Sequence, residues 1–413
     1  MNDSDRLSRG SNATSDGPIV NTHVHLPPNF SAFDTAQEAV VLAAAEGVAA
    51  IGTANYYDFG VYRRFAVAAA EAGVVPLFGL EIITLIDDLP NGGMLINDPT
   101  NLNRMYLCGK GIARFDPPIP SAARRMAVVR AASDDRMQRM TALVAARFAH
   151  AGLDGSLTDG LIAASVAQRC GVPVEWVSLQ ERHVAQAFQE LLFRDVVPGD
   201  RSGRLSAMFG APAVVDPTDA VAVQEAIRSN LMKAGRPAFV PDAAVSFDDA
   251  YRLILELGGI PCYPILADGV SPICPFEDPP EALAERLLKR GIYCAELIPV
   301  RNRGEVIDRY VAVLRGAGIL VLAGTEHNTR RMIPLEPQAL GGEPLSDSSR
   351  EAFWEGTCVV AAHQVLCASG KPGYVDGEGQ LAAGFAGGES RIRSFRQTGA
   401  DLMTNRSATR VQT

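Results

Sequence analysis

Apolar and polar positions along the chain fall into two alternating regimes. Short apolar runs of strand length occupy 18–24, 47–53, 74–83, 260–266, 293–298 and 319–323. Between them apolar residues recur three and four apart, the repeat of a helix with one buried stripe. A helix is predicted to begin at Thr35, where Thr35 and Glu38 stand three apart as a capping box, and another over 60–72, closed by Gly73. Further helices are predicted after Ser246, whose partner in a second box is Asp249, and over 280–290 and 305–316. Strand and helix in turn imply parallel strands joined by crossover helices. Six or seven such units predict a distorted (β/α)7 barrel; pattern alone also permits a doubly wound open sheet.

The stretch 120–235 departs from this alternation. It reads as wholly helical, with helices over 121–151, 158–170, 178–193 and 219–234, and is expected to be an insertion lying across the barrel mouth. A C-terminal helical extension is expected at about 345–370. Residues 1–17 and 386–413 are poor in large apolar side chains and rich in Gly, Ser, Thr, Asn and Arg, so both are expected to be disordered tails around a folded body over 18–385.

Composition narrows the function class. With 413 residues, 47% of them hydrophobic, the chain has enough apolar surface for one large core or two ordinary ones. Seven cysteines, an odd number without CxxC spacing, argue against a disulfide framework and a cysteine zinc site, and predict a reducing, cytoplasmic setting. No apolar run approaches the roughly 18 to 20 residues of a bilayer span, so no membrane partner is expected. With 47 acidic against 38 basic residues, the net charge of −9 is a poor match for long nucleic acid; a small-molecule substrate or a short oligonucleotide fits better. The oligomeric state is left open.

The sharpest chemical signal is His23-Val24-His25 at the end of the first predicted strand. Strand residues i and i+2 share a face about 6.5 Å apart, which suits two imidazoles on one metal ion. Glu81 stands at the end of the 74–83 strand and Glu296 at the end of 293–298, while Glu326 and His327 follow 319–323. Alone, each carboxylate reads equally as a cap or an ion pair. In a barrel the C-terminal strand ends converge, and their agreement predicts a site. The expected metal ligands are His23, His25, Glu81, Glu326 and His327, and the expected catalytic groups Glu81, His327 and Tyr56, the last a phenol able to donate a proton or hydrogen bond. Tyr57 and Asp58 are expected to line the same mouth, and Asp268 to stand near it.

These motifs, in their order, resemble those of the PHP family, the polymerase and histidinol phosphatase type of metal-dependent phosphoesterase. The family shows HxH, TDH, GxE, AHP and GSDxH on successive strands. Here His23-Val24-His25, Thr53-Ala54-Asn55, Gly79-Leu80-Glu81, Tyr263-Pro264 and Gly324-Thr325-Glu326-His327-Asn328 stand in the same order over about 18–330. The middle of the chain is similar to the branch acting on nucleoside 3',5'-bisphosphates and short oligoribonucleotides, through Glu181-Arg182-His183-Val184-Ala185 and Gly235-Arg236-Pro237-Ala238-Phe239-Val240. The resemblance implies substrate binding by Arg182, His183 and Arg236, with Arg236 in the place of a phosphate-binding lysine, and by Asn55.

Departures from the pattern bear on metal count. Ala54 and Asn55 replace an aspartate and a histidine, Tyr263 or Pro264 a further histidine, and Glu326 an aspartate. No histidine occurs in 104–108, and Ser31 and Asp34 stand out of register. What remains predicts a divalent metal (Mn, Zn, Fe or Mg) in fewer copies than the family's two or three. The expected function is a metal-dependent hydrolase, a phosphoesterase on a small phosphorylated metabolite or nucleotide. The alternatives are non-hydrolytic sugar or sugar-acid chemistry at one metal, or a non-catalytic binding protein.

Overall fold

The computed structural model describes residues 17–89, 92–241 and 245–404; the expected N-terminal tail thus lies, apart from Gly17, outside the described residues. The chain opens with β1 (Ile19–Val24), α1 (Ala36–Ala45), β2 (Val48–Thr53), α2 (Tyr62–Ala72), β3 (Val75–Leu77), β4 (Gly79–Leu85) and β5 (Arg104–Lys110). Five helices follow: α3 (Pro120–His150), α4 (Asp159–Cys170), α5 (Glu181–Asp195), α6 (Pro198–Phe209) and α7 (Ala220–Ile227). The alternation then resumes with α8 (Phe247–Glu256), β6 (Ile260–Ile265), α9 (Pro280–Lys289), β7 (Cys294–Leu297), α10 (Gly304–Gly316) and β8 (Leu320–Ala323), before α11 (Asp347–Ala368) and α12 (Gly388–Thr404).

Local chemistry sets several of these boundaries. The Thr35 hydroxyl accepts from the Glu38 amide at 3.0 Å and the Glu38 carboxylate accepts from the Asp34 amide at 2.6 Å, which satisfies donors that the first turn of α1 leaves open. Gly73, at φ 69°, ends α2 in the left-handed region that costs a glycine least.

Among the described residues eight strands form two sheets. β1, β2 and β3 run parallel in that order; the second sheet runs β4-β5-β6-β7-β8, with β4–β5 and β5–β6 antiparallel and β6–β7–β8 parallel. The sheets meet through single bridges, Val24 with Glu326 and Tyr56 with Glu81. The mixed α/β architecture with parallel strands is as expected; among the described residues no continuous ladder closes the strands into a barrel, and β5 runs antiparallel to both its neighbours. The reason is local. The apolar run at 74–83 is two strands rather than one, broken at Phe78, and β5 returns from a loop instead of a crossover helix. Gly79 sits at the break, where a Cβ would lie 2.5 Å from the Thr53 carbonyl oxygen and 2.7 Å from that of Gly109.

Two apolar cores result. The larger joins both sheets with α1, α2 and α8 to α12; the smaller belongs to the helical stretch, where Met140, Phe148, Phe188 and Leu192 are buried among α3 to α7. α6 is a helix that periodicity did not pick out. The expected C-terminal tail is corrected as well: 388–404 form α12, whose Ile392, Phe395, Gly399 and Met403 face the core. Gly399 lets α12 approach α11 so closely that a Cβ would lie 1.9 Å from the Cys358 carbonyl oxygen, and contact between two helices needs few large side chains when backbones come that near. Residues 405–413 lie outside the description. Among the described residues no helix is long and apolar enough to cross a membrane.

Candidate metal centre and its cavity

β1 ends in His23 and His25, which the pleat places on one face. Both are buried, and their Nε2 atoms lie 3.4 Å apart. Glu81 on β4 completes a group of three: its Oε2 is 3.8 Å from His23 Nε2 and 3.4 Å from His25 Nε2. The three donor atoms all lie within 4.8 Å of one another.

Glu296 on β7 stands behind His23. Its Oε2 is 2.6 Å from His23 Nδ1, its Oε1 accepts from the Thr22 hydroxyl at 2.5 Å, and the Lys110 ammonium lies 2.7 Å from the carboxylate. Burial pushes the Glu296 carboxyl up, but Lys110 first and then His23 outweigh it and hold it at about 2. An ionised carboxylate only accepts, so Nδ1 of His23 carries the hydrogen and Nε2 turns its lone pair toward His25 and Glu81. A carboxylate behind a ligating imidazole is the arrangement that orients histidines on metal ions. His25 Nδ1 is buried and unpaired among the described residues. Two imidazole nitrogens and one carboxylate oxygen crowded together, with the first ring oriented from behind, fit a divalent ion of the transition series. His23, Cys108 and Glu296 also approach one another. Lys110 already neutralises Glu296 there, and burial raises the Cys108 thiol well above its ordinary value, so this second group lacks charge for an ion.

Glu326 follows β8 with φ 61° and His327 with φ 48°, two consecutive left-handed residues that are not glycine. The turn is stitched to the metal group: the Glu326 amide donates to the His23 carbonyl at 2.8 Å, and the His25 amide to the Glu326 carbonyl at 2.9 Å. It sends the two side chains apart. The Glu326 carboxylate faces the cavity, where it is ion-paired with Arg301 and accepts from the Asn328 side-chain Nδ2. Burial raises its carboxyl, yet Arg301, then His23 and His25, hold it at about 2. His327 turns away. Its Nδ1 is 2.7 Å from the Thr325 hydroxyl, its Nε2 is 3.0 Å from the Ile333 carbonyl oxygen, and its ring stacks on Phe33 at 4.9 Å. The expectation that His327 is ligand and catalyst is therefore corrected: both ring nitrogens are engaged elsewhere. Glu326, expected as a ligand, is committed to Arg301.

The group opens into a cavity of about 410 Å³ between the strand ends and the helical stretch. Tyr56 lines it, its ring stacked on His25 at 5.3 Å and 10° and its hydroxyl bonded to Glu81; burial and then the Glu81 charge raise the phenol well above its ordinary value, so it stays a hydrogen-bond donor. The opposite wall is cationic. Arg136 of α3, Arg228 and Lys233 surround the Glu181 carboxylate at 2.7, 3.1 and 2.7 Å, and Arg182 is paired with Glu225. Burial raises Glu181, but Lys233, Arg136 and Arg228 together hold it far below the usual carboxylate range.

The remaining expected substrate residues have other places. His183 caps α5: its Nδ1 accepts from the Gln180 amide at 3.1 Å, its ring packs edge-on against Phe30, and burial lowers it to about 3. It does not line the cavity. Asn55 ties the chain after β1, accepting from the Leu26 amide at 2.8 Å and donating to the Leu26 carbonyl at 2.9 Å. Arg236 is exposed outside the cavity; Lys233, three residues earlier and after a wide helical turn over Arg228–Met232, is the cation that reaches it. Asp268 pairs with Arg303 and Asn302 away from the donors. Sequence reading missed Lys110, Lys233 and Arg301, each a lone cation without a motif around it.

No protein-family model and no curated protein matches the chain. Solved structures do. A protein from Bifidobacterium adolescentis assigned as a metal-dependent phosphoesterase aligns over 82% of this chain and 96% of its own, with TM-score 0.50 and 18% identity. An amidohydrolase from Chromobacterium violaceum, with bound sulfate and no metal, aligns over 81% of this chain and 96% of its own, with TM-score 0.50 and 16% identity. The likeness concerns the path of the chain.

Proposed function

We propose that the protein is a metal-dependent hydrolase that cleaves a phosphate ester of a small anionic metabolite. The observation that carries this reading is one cavity with His25 and Glu81 on its floor, His23 grouped with them, and the Arg136, Arg182, Arg228 and Lys233 cluster on its far wall. A divalent ion held by the three donors would polarise a phosphoryl oxygen and supply a hydroxide-like water. Glu296 keeps His23 in the ligating tautomer, and Lys110 keeps Glu296 ionised. Tyr56 stays protonated and donates its one O–H to Glu81, which orients that carboxylate for an ion. Across the cavity Arg136, Arg182, Arg228 and Lys233 gather around Glu181 and Glu225, a cationic cluster suited to a second anionic group of the substrate. A space of about 410 Å³ suits a metabolite or nucleotide, not a polymer.

The ordered motifs that resemble the PHP family, and a fold shared with a protein assigned as a metal-dependent phosphoesterase, support the reading. Its test is a screen of phosphorylated metabolites with Mn²⁺, Zn²⁺, Fe²⁺ or Mg²⁺, following phosphate release. Turnover that a chelator abolishes is expected; turnover that persists in chelator overturns the metal, and hydrolysis confined to amides overturns the substrate class.

A further inference from the structure

Arg301 follows β7 on a short turn and enters the cavity beside the metal group. Its guanidinium pairs with Glu326 through one terminal nitrogen, and among the described residues Glu326 is its side-chain partner; 37% of the side chain stays exposed. Glu326 is bonded through its backbone to both His23 and His25, and its carboxylate lines the same cavity as Glu81. An unpaired carboxylate on this cavity would be open to the ion. Here its charge is taken by an arginine, a cation that cannot lose its proton and cannot be exchanged for solvent metal. Without Arg301 the cavity floor carries two negative charges, Glu81 and Glu326. With Arg301 it carries one, and a single divalent ion then leaves a net positive floor facing any bound anion.

We propose that Arg301 is a resident second cation of the site: it withholds Glu326 from the metal ion, limits the centre to one ion, and presents its remaining N–H groups to the anionic oxygen that the ion also contacts. The inference rests on the metal-hydrolase reading and adds to it a residue that touches substrate. Arg301 lines the same cavity as His25, Tyr56, Glu81 and Glu326, which places it beside the same reacting group. Arginine suits this task because its planar fork holds a carboxylate on one edge and an oxyanion on another.

The test compares wild type, Arg301→Gln/Glu326→Gln, Arg301→Gln and Arg301→Lys, titrated first with Mn²⁺ and then, when metal-loaded, with inorganic phosphate as probe. Removing the pair together leaves the local charge unchanged, so the double variant is expected to bind one Mn²⁺ with a Kd within about threefold of wild type. A loss of more than tenfold would make Glu326 a ligand and overturn the proposal. Phosphate is expected to bind the metal-loaded Arg301→Gln protein at least tenfold more weakly than wild type, and Arg301→Lys, which keeps the charge but not the fork, between the two; equal phosphate affinity in all three overturns it. Circular dichroism checks that each variant folds, and Arg301→Lys keeps the phosphate comparison decisive should a glutamine variant not. Wild type that binds two ions sinks this inference alone, whereas wild type that binds none sinks the hydrolase reading beneath it.

Discussion

At the scale of single residues, His23 is held from two sides: Glu296 fixes its tautomer through Nδ1, and the backbone of Gly324 presses against its Cβ, where a Cβ on residue 324 would lie 2.2 Å away. Glu296→Gln should therefore lower metal affinity about 10- to 100-fold, as loss of an orienting carboxylate does. It should also cost about 3 to 5 kcal/mol of stability in the metal-free protein, because the buried Lys110 ammonium loses its counter-charge. Metal titration and urea midpoints check the two effects separately. Gly324→Ala should weaken metal binding without removing a ligand, by pushing His23 off its position; an unchanged Kd would show that the ring is not so confined. The His23 and His25 pair was legible because strand alternation is a local rule. Glu296 was legible as a strand-end carboxylate but not as a partner of Lys110, which lies 186 positions away in sequence. His327 was misread because one left-handed turn reverses where its side chain goes, and no pattern of apolar positions records that.

At the scale of elements, the loop after β6 hangs on a buried carboxyl. Glu277 accepts from the Tyr263 hydroxyl at 2.9 Å and from the amides of Leu266 and Ala267, and burial still pushes it up to about 7. Since this folded-state value lies above the ordinary 4.5, the group's contribution is full below about 4.5 and is lost as pH rises through about 7. Replacing it with the neutral isostere in Glu277→Gln should remove that dependence, so the variant should gain on wild type by on the order of 2 to 3 kcal/mol between pH 5 and pH 8 in denaturant unfolding. A pH-independent difference would mean that Glu277 is ionised throughout. Elements also explain the exchange of Arg236 for Lys233. The resemblance of Gly235-Arg236-Pro237 to a phosphate-binding motif is one of letters, while the wide turn over Arg228–Met232 advances the chain so that Lys233 reaches the cavity instead. Lys233→Ala should weaken binding of a phosphorylated ligand by about 1.5 to 3 kcal/mol, and Arg236→Ala should leave it unchanged. Calorimetry on both variants decides between them. α12 escaped notice for a related reason: its contact with α11 depends on Gly399 rather than on large apolar residues.

At the scale of the whole molecule, two cores built from different stretches of chain face each other across one cavity. The strand-bearing part supplies the donors for an ion, and the helical stretch supplies the cations opposite. Alternation of apolar runs was enough to foresee parallel βα units and a helical stretch between them. It could not foresee the antiparallel β5 or the two-sheet arrangement, since a strand reads the same in either direction. The account stands on the claim that His23, His25 and Glu81 hold one divalent ion. The measurement that reaches it most directly is metal content and Mn²⁺ or Zn²⁺ titration of wild type beside a His23→Ala/His25→Ala variant. One ion per chain in wild type, removed by chelator, and none in a variant whose circular dichroism is unchanged is the predicted result. Wild type that takes up no ion, or a variant that binds it as tightly as wild type, would contradict the account.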